Sequence, residues 1–200
     1  MWMIEEAIKQ QLEWKNNAGF DISISINVSV LQFQNINFEA RFLETVHKSG
    51  INKDKIDIEI TESLFLHNTE QNLNSIHRIH KEGISFSLDD FGTGYSSLSY
   101  LKTMPIQTLK IDRLFILDYD TEQGAIFLKT IINMAHGLNL EVICEGVELE
   151  QQREFLQSID CEYYQGYLCS KPVPAKQFAN LYNNVVTIPI KDRHGMHAIE

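Results

Sequence analysis

Residues 84–98 read Ile84-Ser85-Phe86-Ser87-Leu88-Asp89-Asp90-Phe91-Gly92-Thr93-Gly94-Tyr95-Ser96-Ser97-Leu98. The apolar run at 84–88 has the length of a buried strand, ends on two adjacent carboxylates and passes at once into a glycine-containing loop. Neighbouring carboxylates repel each other, so a fold that buries them keeps both ionised only with a cation between them. The pair therefore predicts a cation-dependent site at a strand end. Five further apolar runs stop on a polar or charged residue: Asn27, Glu59, Lys110, Glu145 and Gln165. Taken singly, each is as readily a helix cap or a solvent-facing strand end. Recurrence at six strand ends points to one built site.

Outward from this stretch, strand and helix patterns alternate along the chain. Residues 2–17 carry Ile4, Ala7, Ile8 and Leu12 on one helical side, with Trp2 and Trp14 read as packing residues. The segment 22–29 (ISISINVS) alternates with the period of a strand. A helix over 38–49 stops at Gly50, and 55–61 (KIDIEIT) is the next strand. A polar-faced helix then runs to about residue 82 and closes at Gly83. After the strand at 84–88 come a short helix near 96–102, a strand at 108–111 and a helix over 121–137 ending at Gly137. A strand at 140–144, a helix over 149–158, a strand at 163–167 and a helix over 175–183 complete the series. Residues 184–200 read as an irregular tail around Pro189, with a short edge strand near 186–188 as the alternative.

Six strand–helix units in series predict a parallel sheet with helices outside it. An open doubly wound sheet places its ligand at one switch point and draws on two or three strands. A barrel gathers its chemistry from the ends of many strands around one mouth. Six marked strand ends favour the barrel. A complete barrel has eight strands in about 250 residues, so the expected fold is an incomplete TIM-type (β/α) barrel occupying residues 1–183.

Bulk properties narrow the function. A hydrophobic content of 44% over 200 residues supports a sizeable single core. A net charge of −10 argues against a protein that grips the nucleic-acid backbone, although an anionic ligand remains compatible where metal ions lie between. The three cysteines (Cys144, Cys161, Cys169) form no CxxC pair, and an odd number argues against a disulfide framework. Cys144 reads as a small buried hydrophobe. No apolar run has the roughly 18 residues needed to span a bilayer, and Glu5 and Glu6 stand where a signal peptide wants positive charge. The chain reads as cytoplasmic.

The candidate site is therefore Asn27, Glu59, Asp89, Asp90, Lys110, Glu145 and Gln165, with Glu62 and Asp112 as further members. Carboxylates and amide oxygens without His or Cys form a hard environment suited to Mg²⁺ or Mn²⁺ rather than zinc. One lysine near such a cluster can orient or help deprotonate a metal-bound water. His77 and His80 have a metal-compatible spacing but share a helix with Asn72, Asn74, Arg78 and Lys81, which favours a solvated face. His194 and His197 fall in the tail. Gly92 and Gly94 form only a lone GxG, better read as a mobile loop beside the metals than as a phosphate cradle.

The segments INVS (Asn27), IEITES (Glu59, Glu62), DDFGTGYSSL (Asp89, Asp90), LKID (Lys110), CEGVE (Glu145) and YYQGY (Gln165) occur in the order and spacing of the EAL domain, which this chain resembles over residues 1–183. The resemblance implies metal-dependent hydrolysis of cyclic di-GMP to its linear dinucleotide. It implies that Asn27, Glu59 and Asp89 are metal ligands and that Asp90 serves a second metal. Lys110 would position the attacking water, with Glu145 and Gln165 in the same water shell and Glu62 anchoring the DFGTGYSSL loop.

The family's Glu-Ala-Leu strand has no counterpart upstream of Asn27, because Glu6-Ala7-Ile8 falls within the predicted first helix. The expectation is a barrel lacking two strands, with edges at 22–28 and near 165, and with weak or no turnover as the chain stands. A homodimer or a partner chain completing the barrel would restore the site. The alternative is a non-catalytic receptor for cyclic di-GMP or a protein-interaction module.

Overall fold

In the computed structural model, which describes residues 1–66, 70–92 and 98–184, the strands are β1 (Ile24–Asn27), β2 (Ile56–Thr61), β3 (Ser85–Phe91), β4 (Thr108–Ile111), β5 (Glu141–Glu145) and β6 (Tyr163–Gln165). They form one sheet in sequential order, every neighbouring pair parallel. A doubly wound sheet turns back on itself at a switch point. This order never reverses, and the wall is that of an incomplete TIM-type barrel with β1 and β6 at its margins.

Strand alternation divides the wall into two chemistries. One face presents Ile56, Ile58, Ile60, Phe86, Leu88, Leu109, Ile111, Val142 and Cys144, each at most 1% exposed. Register sets these in rows, Ile60 beside Leu88 and Leu88 beside Leu109 beside Val142. Burying each such aliphatic side chain contributes about 1.5–3 kcal/mol, so this layer is the main source of stability. The opposite, inner face carries Asn27, Asp57, Glu59, Ser87, Asp89, Lys110 and Glu145, in phase with one another by the same register.

Helices cover the aliphatic face. Helix α1 (Trp2–Ala18) buries Ile4 and Ile8. The short α2 (Val30–Phe33) follows β1, and α3 (Phe38–Ser49) buries Phe38, Phe42 and Val46 at a four-residue spacing before Gly50 closes it at φ 70°. After β2 come the short α4 (Ser63–Leu66) and α5 (Glu70–Lys81). Helix α6 (Leu98–Thr103) precedes β4. Helix α7 (Glu122–Gly137) buries Leu128, Ile131, Ile132 and Ala135, the i, i+3, i+4, i+7 face of an amphipathic helix. Its start is capped by Thr121, whose hydroxyl accepts the Gly124 N–H at 3.0 Å. Helices α8 (Glu150–Ser158) and α9 (Ala175–Asn184) complete the series, and α9 returns to α1: Trp14 packs on Phe178 in a tilted pair with 4.8 Å between ring centroids.

Several expectations are corrected. Trp2 is 71% exposed and is not a packing residue, because its position lies off the Ile4–Ile8 stripe. Asn72 is buried rather than on a solvated face, and His80 is half-buried with Nδ1 3.2 Å from the Ile84 carbonyl. β3 runs through both aspartates instead of stopping at Leu88, whereas β6 stops at Gln165 because Gly166 turns against the Val147 backbone. Helix α7 ends at Gly137 as expected, and the left-handed turn after it falls on Asn139 at φ 59°. The Glu6-Ala7-Ile8 triplet lies on α1, as its periodicity requires, with Glu6 exposed. Cys144 is fully buried, and burial pushes its thiol well above the usual range. The loop at 93–97, the possible strand at 186–188, His194 and His197 lie outside the described residues. Among the described residues no helix is long and apolar enough to cross a membrane.

Candidate metal centre

The site is organised by an irregularity in β3. Leu88 pairs with Leu109 and Phe91 with Ile111, so three steps along β3 match two along β4. The extra residue is a β-bulge at Asp89–Asp90, and Asp90 takes the left-handed φ of 54° that Asp tolerates better than most side chains. In an unbroken strand, adjacent side chains point to opposite faces. The bulge cancels that alternation. Carboxylate oxygens of Asp89, Asp90 and Glu145 consequently lie within 4.8 Å of one another.

Lys110, at the centre of β4, supplies the compensating charge. Its Nζ lies 2.8 Å from Glu59 Oε1, 2.9 Å from Asp89 Oδ1 and 2.9 Å from Glu145 Oε1. Burial by itself would lower the ammonium's pKa, but bonds to the three carboxylates outweigh it and hold the group firmly protonated. Glu59 shows the converse. Its pKa is raised by burial and by the charges of Asp89 and Asp57, against the pull of Lys110. Asp90 is raised by burial first, then by Asp89 and Asp112. The cluster carries more negative than positive charge in a partly dry setting, the condition under which a hard cation binds.

The other predicted residues take graded positions. Asn27 joins through Glu59, its Nδ2 donating to Oε2 at 2.9 Å, which directs the amide carbonyl away from that carboxylate. Glu62, 5% exposed, accepts the Gly92 N–H on Oε1 at 2.7 Å. It holds the start of the glycine loop and stands apart from the lysine cluster. A Cβ at Gly92 would lie 2.3 Å from the Phe115 ring, so no side chain fits that turn. Gln165 faces Glu145 in register but sits on an exposed margin strand, outside the hydrogen-bonded cluster among the described residues. Asp112 caps the turn at Arg113–Phe115 by accepting the Leu114 N–H at 2.9 Å, and it reaches the cluster only through its field on Asp90.

One inner-face residue escaped the sequence reading. Asp57 lies beneath Glu59, and burial raises its pKa against hydrogen bonds from Ser87 and Ser25. Period-two alternation in KIDIEIT could have found it, since Asp57 and Glu59 share a face.

The donor set fits a divalent metal: carboxylate oxygens from β3 and β5 converge, Glu59 and Asn27 lie alongside, and no sulfur or imidazole intrudes. Comparisons agree with this chemistry. The EAL domain model matches residues 1–172. The signaling protein YkoW of Bacillus subtilis is 40% identical over 178 residues, covering 88% of this chain and 22% of YkoW. The bifunctional diguanylate cyclase/cyclic di-GMP phosphodiesterase MucR of Pseudomonas aeruginosa is 36% identical over 178 residues, covering 88% of this chain and 26% of MucR. The solved PaMucR phosphodiesterase in complex with c-di-GMP superimposes with a TM-score of 0.82 at 35% identity, covering 88% of this chain and 72% of that one. The chain spans about a quarter of the length of these curated relatives.

Proposed function

Because this chain belongs to the EAL domain family, we propose that its inner face binds cyclic di-GMP and hydrolyses one phosphodiester to give the linear dinucleotide pGpG. The observation that carries this reading is the convergence of Asp89, Asp90 and Glu145 around a lysine already held by Glu59. Asn27, Glu59, Asp89 and Asp90 would hold Mg²⁺ or Mn²⁺. Bound there, the ions would supply Lewis-acid stabilisation of the oxygens exchanged in an in-line displacement. Lys110, bonded to three carboxylates, would act as a donor that orients the attacking water and offsets phosphoryl charge. Glu145 and Gln165 would complete the water-holding margin, and Glu62 would anchor the chain at Gly92, just after β3.

The test is incubation of the protein with cyclic di-GMP and Mn²⁺, followed by chromatography for pGpG. The expected result is slow release, abolished by EDTA and reduced at least ~100-fold by Asp89→Asn. Slow turnover is expected because Lys110 already engages Glu59, Asp89 and Glu145, with which an arriving cation must compete. A second reading, a receptor for the same nucleotide, is favoured by one observation: Lys110 neutralises part of the cluster without metal. Nucleotide binding undiminished in EDTA, with no pGpG formed, selects it.

A further inference from the structure

Below Glu59 on the inner face lies a second polar cluster, in which Asp57 stands level with Ser25 and reaches diagonally to Ser87, itself level with Glu59. Ser25 Oγ donates to Asp57 Oδ2 at 3.1 Å, and Ser87 Oγ donates to the same oxygen at 2.7 Å. The three residues come from β1, β2 and β3, three adjacent strands. Each stands two positions before a candidate ligand on its own strand: Ser25 before Asn27, Asp57 before Glu59, Ser87 before Asp89. A rise of about 3.3 Å per residue places each candidate ligand roughly 6.6 Å beyond that residue along its own strand, on the same face.

We propose that Asp57 is a positioning residue, a strut whose single carboxylate oxygen ties β1 and β3 to β2 and thereby sets the spacing of Asn27, Glu59 and Asp89. The proposal rests on the metal-centre reading above. Packing does not account for Asp57, since Ile56 and Ile58 on either side of it fill the aliphatic face completely. Backbone pairing leaves both neighbours of β2 with one sound side. Among the described residues β1 pairs with β2 only, and β3, in register with β2 through Asp89, loses register with β4 beyond Leu88, at the bulge. Both neighbours of β2 therefore gain a second tie just beneath the level where ligand positions matter. Metal ligands tolerate displacements of only about 0.5 Å, and loss of a residue supporting them typically weakens metal binding 10–100-fold.

The experiment is Mn²⁺ binding to the full chain, measured by electron paramagnetic resonance of free Mn²⁺, for the unaltered protein and three variants. Asp57→Ala removes the strut and should weaken binding about 10-fold or more. Asp57→Asn keeps one carbonyl oxygen able to accept both hydroxyls and should bind within about twofold of the unaltered chain. The double variant Ser25→Ala/Ser87→Ala keeps the carboxylate, removes both donors and should match Asp57→Ala. Thermal unfolding in EDTA reports whether each variant is folded, and the serine double variant carries the test if Asp57→Ala is not. Equal binding by the unaltered chain and the serine double variant overturns the proposal, as does an Asn variant as weak as the Ala variant. No Mn²⁺ binding by the unaltered chain instead overturns the metal-centre reading on which the proposal stands.

Discussion

Lys110 is the residue on which the inner face depends. Its ammonium, 5% exposed, faces three carboxylates that would otherwise be buried without compensation. Removing one member of such a group costs more than the group contributes, because the remaining charges stay desolvated. Lys110→Met should therefore destabilise the metal-free protein by about 3–5 kcal/mol, read from urea unfolding in EDTA. Added Mn²⁺ should recover more stability in this variant than in the unaltered chain, because a second cation replaces the lost one. A variant as stable as the parent in EDTA would show that the carboxylates do not need the lysine. At this scale the sequence was legible where residue type carries the chemistry, as at Asp89, Asp90 and Lys110. It was not legible at Trp2, because an aromatic on an amphipathic helix is placed by its angle to the neighbours, which the pattern states only coarsely.

At the scale of elements, β3 shapes the site and an ion pair joins α3 to α5. The bulge turns two consecutive carboxylates into one surface, and no periodicity rule announces it: two charged residues after an apolar run read equally as a strand end. α3 and α5 are joined outside the core by Arg78, whose Nε lies 2.6 Å from Glu39 Oε1, with Ser75 donating to Glu39 Oε2 at 2.9 Å. The Arg78 guanidinium, opposed by partial burial and helped by Ser75, holds the Glu39 carboxyl below its usual range. A depressed folded-state pKa means that the stabilisation is present above the unfolded value of 4.5 and is lost as pH falls through the lower folded value. Arg78→Ala should lower the melting temperature at pH 7 by about 1–4 °C, the modest figure appropriate to a half-exposed pair. The difference from the parent should shrink as the solution is acidified through the lowered pKa of Glu39. A difference that persists undiminished in acid would assign the contact to packing instead.

For the molecule as a whole, the two faces of the sheet do different work: the aliphatic face against the helices holds the wall together, and the polar face makes the opening. A cation that binds only the folded state adds stability by mass action, about 2.7 kcal/mol at a hundred times its dissociation constant. Mn²⁺ should thus raise the melting temperature by several degrees and EDTA should reverse it, with Asp89→Asn insensitive to both. An equal shift in that variant would place the metal elsewhere. By itself the sequence determined the number of strand–helix units, the sequential barrel order and the oxygen-rich strand ends. These are local: apolar periodicity reports which face a residue turns inward, and residue type reports which ions it suits. Only the tertiary structure decided that Asp89 and Asp90 share a side, that Lys110 lies among Glu59, Asp89 and Glu145, and that Asp57 bridges three strands. The contacts of Lys110 and Asp57 join residues 21 to 51 positions apart, and these, like the bulge at Asp89–Asp90, arise only when neighbouring strands pair.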